Sequence, residues 1–203
     1  LQKTRDAVRI TRMVVRRLAL GRSQAELVMP FHIDVEDGAL RALLFSHKLY
    51  RGFDVIVSED IVVRAASYER PELAKAVAKA VLARTFVYGA ALVRRHQLYP
   101  DRREVLLLSY EPSMARALGL QPKDYLDALE WLFSNLVYMV GEEGRYWFAP
   151  IVSPIKRVEV LARNVDDGTA LRRVLEYTVK LLAKPVEQVI KGKKGEKGRL
   201  VTL

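Results

Sequence analysis

The run from Pro112 to Pro150, PSMARALGLQPKDYLDALEWLFSNLVYMVGEEGRYWFAP, constrains the fold more than any other part of this chain. Ser113 to Leu118 have the pattern of a short helix that Gly119 ends, because glycine alone enters the left-handed region without a steric cost. Pro122 stands where the first turn of a new helix tolerates a missing N–H, and Tyr125, Leu126, Leu129, Leu132 and Phe133 recur at helical spacing as its core face. Directly after this helix-turn-helix, LVYMV and RYWFA are rich in aromatic and β-branched residues and are separated by Gly141-Glu142-Glu143-Gly144. They read as a hairpin with a four-residue turn. Two helices followed by a hairpin predict a winged helix, and with it an α+β chain that is predominantly helical.

The flanking sequence is read the same way. Residues 3 to 20 form an amphipathic helix. Gly21 and Pro30 bracket a short apolar segment, AELVMP, and Asp34 to Asp37 cap the start of a helix running to about Lys48. FDVIVSEDIVV, from Phe53, has the β-branched density of a buried strand. Arg70-Pro71-Glu72 opens the longest periodic helix, with Leu73, Val77, Ala80, Val81, Phe86 and Val87 on its inner side and an end near His96. EVLLLSY, from Glu104, reads as a second short buried strand.

Charge divides the chain differently. The net charge of the 203 residues is +10, and its excess lies at the two ends. Residues 1 to 22 hold Lys3, Arg5, Arg9, Arg12, Arg16, Arg17 and Arg22 against Asp6, and residues 191 to 203 hold Lys191, Lys193, Lys194, Lys197 and Arg199 against Glu196. The long middle is neutral. At about 100° per residue, Arg5, Arg9, Arg12 and Arg16 fall in a stripe about 60° wide, with Ala7, Val8, Ile10, Val14, Val15, Leu18 and Ala19 across from it. Such a rail is either a solvated face or a contact for phosphate on nucleotide or nucleic acid, or else it lies on a membrane surface. The three glycines among the lysines of KGKKGEKGRLVTL disfavour helix and core alike, so residues 191 to 199 are expected to be mobile without a partner.

A search for chemistry eliminates most classes. The only Gly-Lys, Gly192-Lys193, lacks the Gly-x-x-x-x-Gly-Lys-Ser/Thr frame that lets backbone amides and a lysine cradle phosphates. Glu59 and Asp60 resemble the acids that end a strand in magnesium-dependent nucleotide hydrolases; without that loop they read as strand-end or turn residues. His32, His47 and His96 share no helical or strand face that would suit a metal. Ser58, Ser109 and Ser113 have no Gly-x-Ser-x-Gly context. There is no cysteine, which removes disulfides, thiolate metal sites and a cysteine nucleophile together and suits a reducing, cytoplasmic location. No catalytic residue and no metal ligand is assigned. No apolar run is long enough to span a membrane. The scarcity of asparagine beside abundant Lys, Arg and Glu leans towards a heat-adapted source.

The second helix of a winged helix commonly enters the DNA major groove. Here its outward side presents Lys123, Asp124, Asp127 and Glu130, and the wing tip offers Glu142 and Glu143 against Arg145. Acids beside phosphate repel it and release no counterions, so this face is expected to serve a structural, protein-packing role.

LQKTRDAVRITRMVV resembles the segment that follows the nucleotide-binding core in a family of large prokaryotic predicted AAA+ ATPases, catalogued as a domain of unknown function. In that family Gln-Arg-Thr-Arg-Gly starts a lid helix, and Gln2-Lys3-Thr4-Arg5-Asp6 occupies its place. VMPFHIDVED, LEWLFSNLVYMVGEEGRYWF and PIVSPIKRVEVLARNV are similar to the family's order of parts, so the resemblance covers about residues 1 to 165. The chain departs at Lys3 and Asp6, and at Ser153-Pro154-Ile155-Lys156, where the family tends to read Pro-Asn-Leu-Asn.

The resemblance implies a lid-like helical and linker segment over 1–66, a winged-helix domain over 67–165, a C-terminal helix over 166–190 and a flexible basic tail over 191–203. It implies a non-catalytic accessory region of a P-loop ATPase whose missing initiator methionine and missing catalytic residues have one cause, with ATP and magnesium belonging to the parent protein. The partner is then the ATPase core of the same polypeptide or a neighbouring subunit. Arg5, at the start of the lid helix, is the nucleotide-sensing candidate, with Arg9 one turn on; a helix-end salt bridge with Asp6 is the structural reading of Arg5. The alternative is a self-standing nucleic-acid-binding adaptor working through Arg9, Arg12, Arg16, Lys191, Lys193, Lys194 and Lys197.

Overall fold

A computed structural model of the chain describes residues 2–21, 25–45, 50, 52–88, 98–151, 154–163 and 165–182. They are mostly helical, with one two-stranded antiparallel sheet. The chain divides into a unit ending at Val160 and a second beginning at Leu161. The described elements are α1 (Gln2–Leu20), α2 (Gly38–Phe45), α3 (Phe53–Ile56), α4 (Pro71–Tyr88), α5 (Arg102–Ser109), α6 (Pro112–Leu118), α7 (Pro122–Asn135), β1 (Met139–Glu142), β2 (Arg145–Phe148), α8 (Pro154–Arg163) and α9 (Asp167–Leu182).

Helix α4 is the axis of the first unit. Its sequence, PELAKAVAKAVLARTFVY, is apolar or small around most of its circumference, and a helix of that kind must be wrapped. Leu73, Ala74, Val77, Ala78, Val81 and Leu82 are all buried, with α5, α7, β2 and a 3₁₀ turn at Pro30–His32 packed around them. Its lysines leave the core sideways: Lys75 and Lys79 both reach Glu36, at 3.6 and 3.0 Å. The Thr85 hydroxyl donates to the Val81 carbonyl and accepts the Phe148 N–H at 3.1 Å, tying α4 to β2.

The two segments read as strands are helical. FDVIVSED forms α3 and continues as a π-helix over Val57–Arg64. Its buried residues, Phe53, Ile56, Val57, Asp60 and Ile61, recur at i, i+3, i+4, i+7 and i+8, which is a helical face. The exposed Val55 and Val63 fill the gaps and disguise it as a continuous apolar run. EVLLLSY lies in α5, where Val105 and Ser109 are buried one turn apart and Leu107 faces solvent. Its helical start is written in Asp101-Arg102-Arg103-Glu104: Asp101 accepts the Glu104 N–H at 2.8 Å and Glu104 accepts the Asp101 N–H at 2.9 Å, a reciprocal capping box.

The helix-turn-helix and hairpin stand where the sequence puts them. Gly119 takes φ 61°, and the Leu120 N–H returns to the Ala115 carbonyl to close α6. Tyr125, Leu129 and Leu132 of α7 are buried and Leu126 is half-buried, but Phe133, expected on the core face, is exposed, its ring edge-on to Tyr146. The hairpin turn is tighter than expected: Gly141 and Glu142 belong to β1, paired with Tyr146 and Arg145, leaving a two-residue turn. Glu143 and Gly144 both have positive φ, the conformation that matches strand twist in such turns. A Cβ at Gly141 would lie 2.8 Å from the Phe133 ring, which would have to shift to admit it. An isolated antiparallel bridge joins Asp101 to Arg145 on the hairpin's other edge.

In the second unit, Asp166 caps α9 by accepting the Thr169 N–H at 2.9 Å. The apolar side chains Leu171, Val174, Leu175 and Leu181 of this helix are exposed. Residues 183–190 of the expected C-terminal helix, and the tail with Lys191, Lys193, Lys194 and Lys197, lie outside the described residues, as do His47 and His96.

Candidate functional site

Helix α1 meets the rest of its unit along one narrow line. Val14 is its single buried side chain among those described, and Ile10, Met13 and Leu18 are half-buried beside it. The rest of its expected apolar side is open, with Val8 63% and Val15 46% exposed. Arg5, Arg9, Arg12 and Arg16 are all exposed on one stripe. Among the described residues none of these four guanidiniums pairs with a carboxylate, so Arg5 makes no salt bridge with Asp6. Arg5, Val8, Arg9 and Arg12 line a shallow depression of about 340 Å³.

The next arginine behaves differently. Arg17 ion-pairs with Asp34 and lies 3.9 Å from Asp37, clasping α1 to the turn that precedes α2. Asp37 also accepts the Ala39 and Leu40 N–H groups and so caps α2, while Asp34 accepts the Glu36 N–H. A cleft of about 380 Å³ lies between α1 and this turn, bounded by Met13, Val14, Arg17, His32, Asp37 and Leu40. His32 does not offer it a ligand atom at Nδ1, which accepts the Met29 N–H at 2.9 Å and closes the 3₁₀ turn. Burial lowers its pKa against the pull of Glu111.

On α7 two of the three outward acids are engaged. Asp124 pairs with Arg70 at 2.9 Å and Glu130 with Arg102 at 2.6 Å; Lys123 and Asp127 are exposed. At the hairpin, Arg145 pairs with Glu104 at 2.9 Å and donates to the Tyr99 carbonyl, while Trp147 stacks on Tyr99 with ring centroids 4.9 Å apart. Part of the face that would enter a groove is thus tied to its own neighbours, while Lys123 and Asp127 stay open.

The residues weighed for catalysis are anchored in the same manner. Ser58 donates to the Asp54 carbonyl and accepts from Arg41, Ser109 donates to the Val105 carbonyl, and Ser113 donates to Glu111. Glu59 accepts from Arg64 at 3.2 Å. Asp60 is no strand-end acid in solvent: it is fully buried and accepts the Val137 N–H at 3.1 Å, the Tyr138 N–H at 2.7 Å and the Arg64 guanidinium at 2.9 Å. Burial raises its pKa, and those three donors pull the other way. Its carboxylate holds the π-helix to the start of the hairpin. Among the described residues no group of three His, Cys, Asp or Glu side chains gathers to hold a metal, and no helix is long and apolar enough to cross a membrane.

Glu111 is a second structural acid, and sequence reading passed over it. One oxygen accepts the Glu26 N–H at 2.9 Å, and the other accepts the Ser113 hydroxyl and the Met114 N–H at the start of α6. Burial works to raise its pKa, but these hydrogen bonds outweigh it and hold the carboxyl down to about 2. The Glu26 side chain pairs in turn with Arg116. The signal was the N-cap position of Glu111 before Pro112; its long-range partner at Glu26 has no signature in the sequence.

No curated protein and no solved structure matches the chain. A family model described as the DUF499 second domain matches residues 1–148, from the start of α1 to the last residue of β2. That span is most of the chain and takes in both the arginine rail and the hairpin, so the chain belongs to the DUF499 second-domain family, whose function is unknown.

Proposed function

We propose that this chain is the non-catalytic accessory region of an AAA+ P-loop ATPase, contributing Arg5 from a lid helix and a winged-helix interaction module. One observation carries the reading: α1 rests on its unit by a single buried side chain and one arginine clasp, while Arg5 at its start stays exposed and unpaired. A helix with that little cover has a face for another body. A guanidinium left without a carboxylate keeps its full charge for phosphate oxygens. The order α4, the Asp101–Arg145 bridge, α5 to α7, then the hairpin supports a winged-helix arrangement, in which the bridge stands for the short third strand. The engaged acids of α7 support its use in protein packing rather than groove reading.

The test is kinetic. In a polypeptide that joins this chain to a P-loop core, Arg5→Ala should lower kcat by about tenfold or more while changing nucleotide affinity little, because the contact strengthens as charge develops on the transferred phosphate. The 203-residue chain alone should not hydrolyse ATP. Equal loss of binding and turnover would make Arg5 merely structural, and turnover by the chain alone that is lost with Glu59→Gln would overturn the accessory role.

A further inference from the structure

The lid reading uses the first arginine of the rail and leaves three unexplained. We propose that Arg9, Arg12 and Arg16 seat a nucleic-acid phosphate backbone, duplex in preference to single strand, without sequence choice. This does not depend on a nucleotide at the helix start.

Elsewhere in the same unit Arg17, Arg64, Arg70, Arg102, Arg116 and Arg145 each meet a carboxylate. Arg41 donates to the Asp54 carbonyl and the Ser58 hydroxyl, and Arg103 and Arg157 are exposed singly rather than in a row. The rail arginines meet no carboxylate among the described residues, and they sit one turn apart at spacings of three and four residues, where like charges repel. From Arg5 to Arg16 the helix rises about 16 Å, at about 1.5 Å per residue. Duplex DNA carries about one negative charge per 1.7 Å of axis, so a rail of this length runs past several phosphates. The ligand must be longer than one nucleotide, since Arg12 and Arg16 lie about two and three turns beyond Arg5.

Two other occupants fit less well. A membrane-surface helix needs a broad apolar face with large side chains, but Ile10, Val14 and Leu18 of α1 turn toward its own unit, leaving chiefly Val8, Val15 and Leu20 outside. Among the side chains described on α1 there is no aromatic ring on which a single-stranded base could stack. Affinity therefore rests on phosphate density, which favours the duplex.

The experiment is a salt titration of the 203-residue chain on a fluorescent 20-base-pair DNA duplex, on one of its single strands and on phosphatidylserine vesicles. The variant Arg9→Gln/Arg12→Gln/Arg16→Gln should lower the slope of log K against log salt by about 3 units, roughly 0.9 for each lost contact, and weaken low-salt binding at least tenfold. The triple Arg103→Gln/Arg157→Gln/Arg172→Gln removes the same net charge from exposed positions elsewhere and should move the slope by less than about one unit. Both triples should keep the parent far-UV circular dichroism. Equal slopes for the two triples, tighter binding of single strand than duplex, or vesicle binding that falls with the rail variant as duplex binding does would each overturn the proposal.

Discussion

Helices α1 and α7 both carry charge on their outward faces, and they use it in opposite ways. On α7, Asp124 and Glu130 are each met by an arginine from a neighbouring segment, and the inward side is buried through Tyr125, Ala128, Leu129 and Leu132. On α1, four arginines meet no carboxylate and Val14 alone is buried among the described residues. Charge already neutralised within the fold contributes to positioning; charge left unpaired on a lightly held helix is free for an outside ligand. The helix that motif logic nominates for nucleic acid thus has two of its outward acids paired within the fold, and the proposed site lies on the helix outside the motif.

The comparison breaks most visibly if the body around α4 does not depend on its internal pairs. Asp60→Ala removes the acceptor for two buried N–H groups and for Arg64, and should cost about 3 kcal/mol or more in urea unfolding. A loss below about 1 kcal/mol would mean that water or a neighbour replaces the carboxylate.

Next in size is the acid response of Glu111. Its folded pKa of about 2 lies below its ordinary value of 4.5, so its stabilisation is fully present above pH 4.5 and is lost as pH falls from there towards 2. Glu111→Gln should cost about 2 kcal/mol at neutral pH and flatten that acid-side decline, as followed by thermal melts between pH 2 and 6. An unchanged decline would assign it to other carboxylates.

Tyr125 tests the body in the other direction. Its hydroxyl is buried with no hydrogen-bond partner among the described residues, and burial, with the nearby Tyr110, Glu111 and Asp124, pushes its pKa up to about 12. Tyr125→Phe should be neutral or stabilising by up to about 1 kcal/mol, since it removes an unsatisfied group while keeping the ring against Tyr110. Destabilisation by more than that would reveal a partner for the hydroxyl. The smallest stability effect belongs to α1: glutamine at Arg9, Arg12 and Arg16 together should shift unfolding by no more than about 0.5 kcal/mol, because exposed unpaired side chains contribute little to the fold.

How much of this was legible in the sequence follows from how local each signal is. The ends of α6 and α7 are set by Gly119 and Pro122, within one turn of the residues they govern, and α1 by its own periodicity. The strand reading of FDVIVSED failed because its helical face contains a buried carboxylate. Asp60 looked polar and exposed, and nothing nearby announces the Val137 and Tyr138 N–H groups that satisfy it. EVLLLSY failed for a different reason: three leucines in a row outweighed the Asp101–Glu104 box that was present all along. For the candidate site, the rail was visible as a stripe, but whether its arginines are paired depends on acids distant in sequence. Arg17 and Arg16 are adjacent, and only the first meets Asp34.

Hydrogen exchange along the chain, with and without the 20-base-pair duplex, tests the contrast between α1 and the body most directly. The account predicts that α4 amides are the slowest to exchange in the chain alone and that α1 amides exchange far faster, because one buried valine and one ion-pair clasp hold it. Adding duplex should protect residues 5 to 18 and leave α7 unchanged. Protection of α1 equal to that of α4 without ligand, or duplex-induced protection between Lys123 and Glu130 instead of on α1, would contradict it.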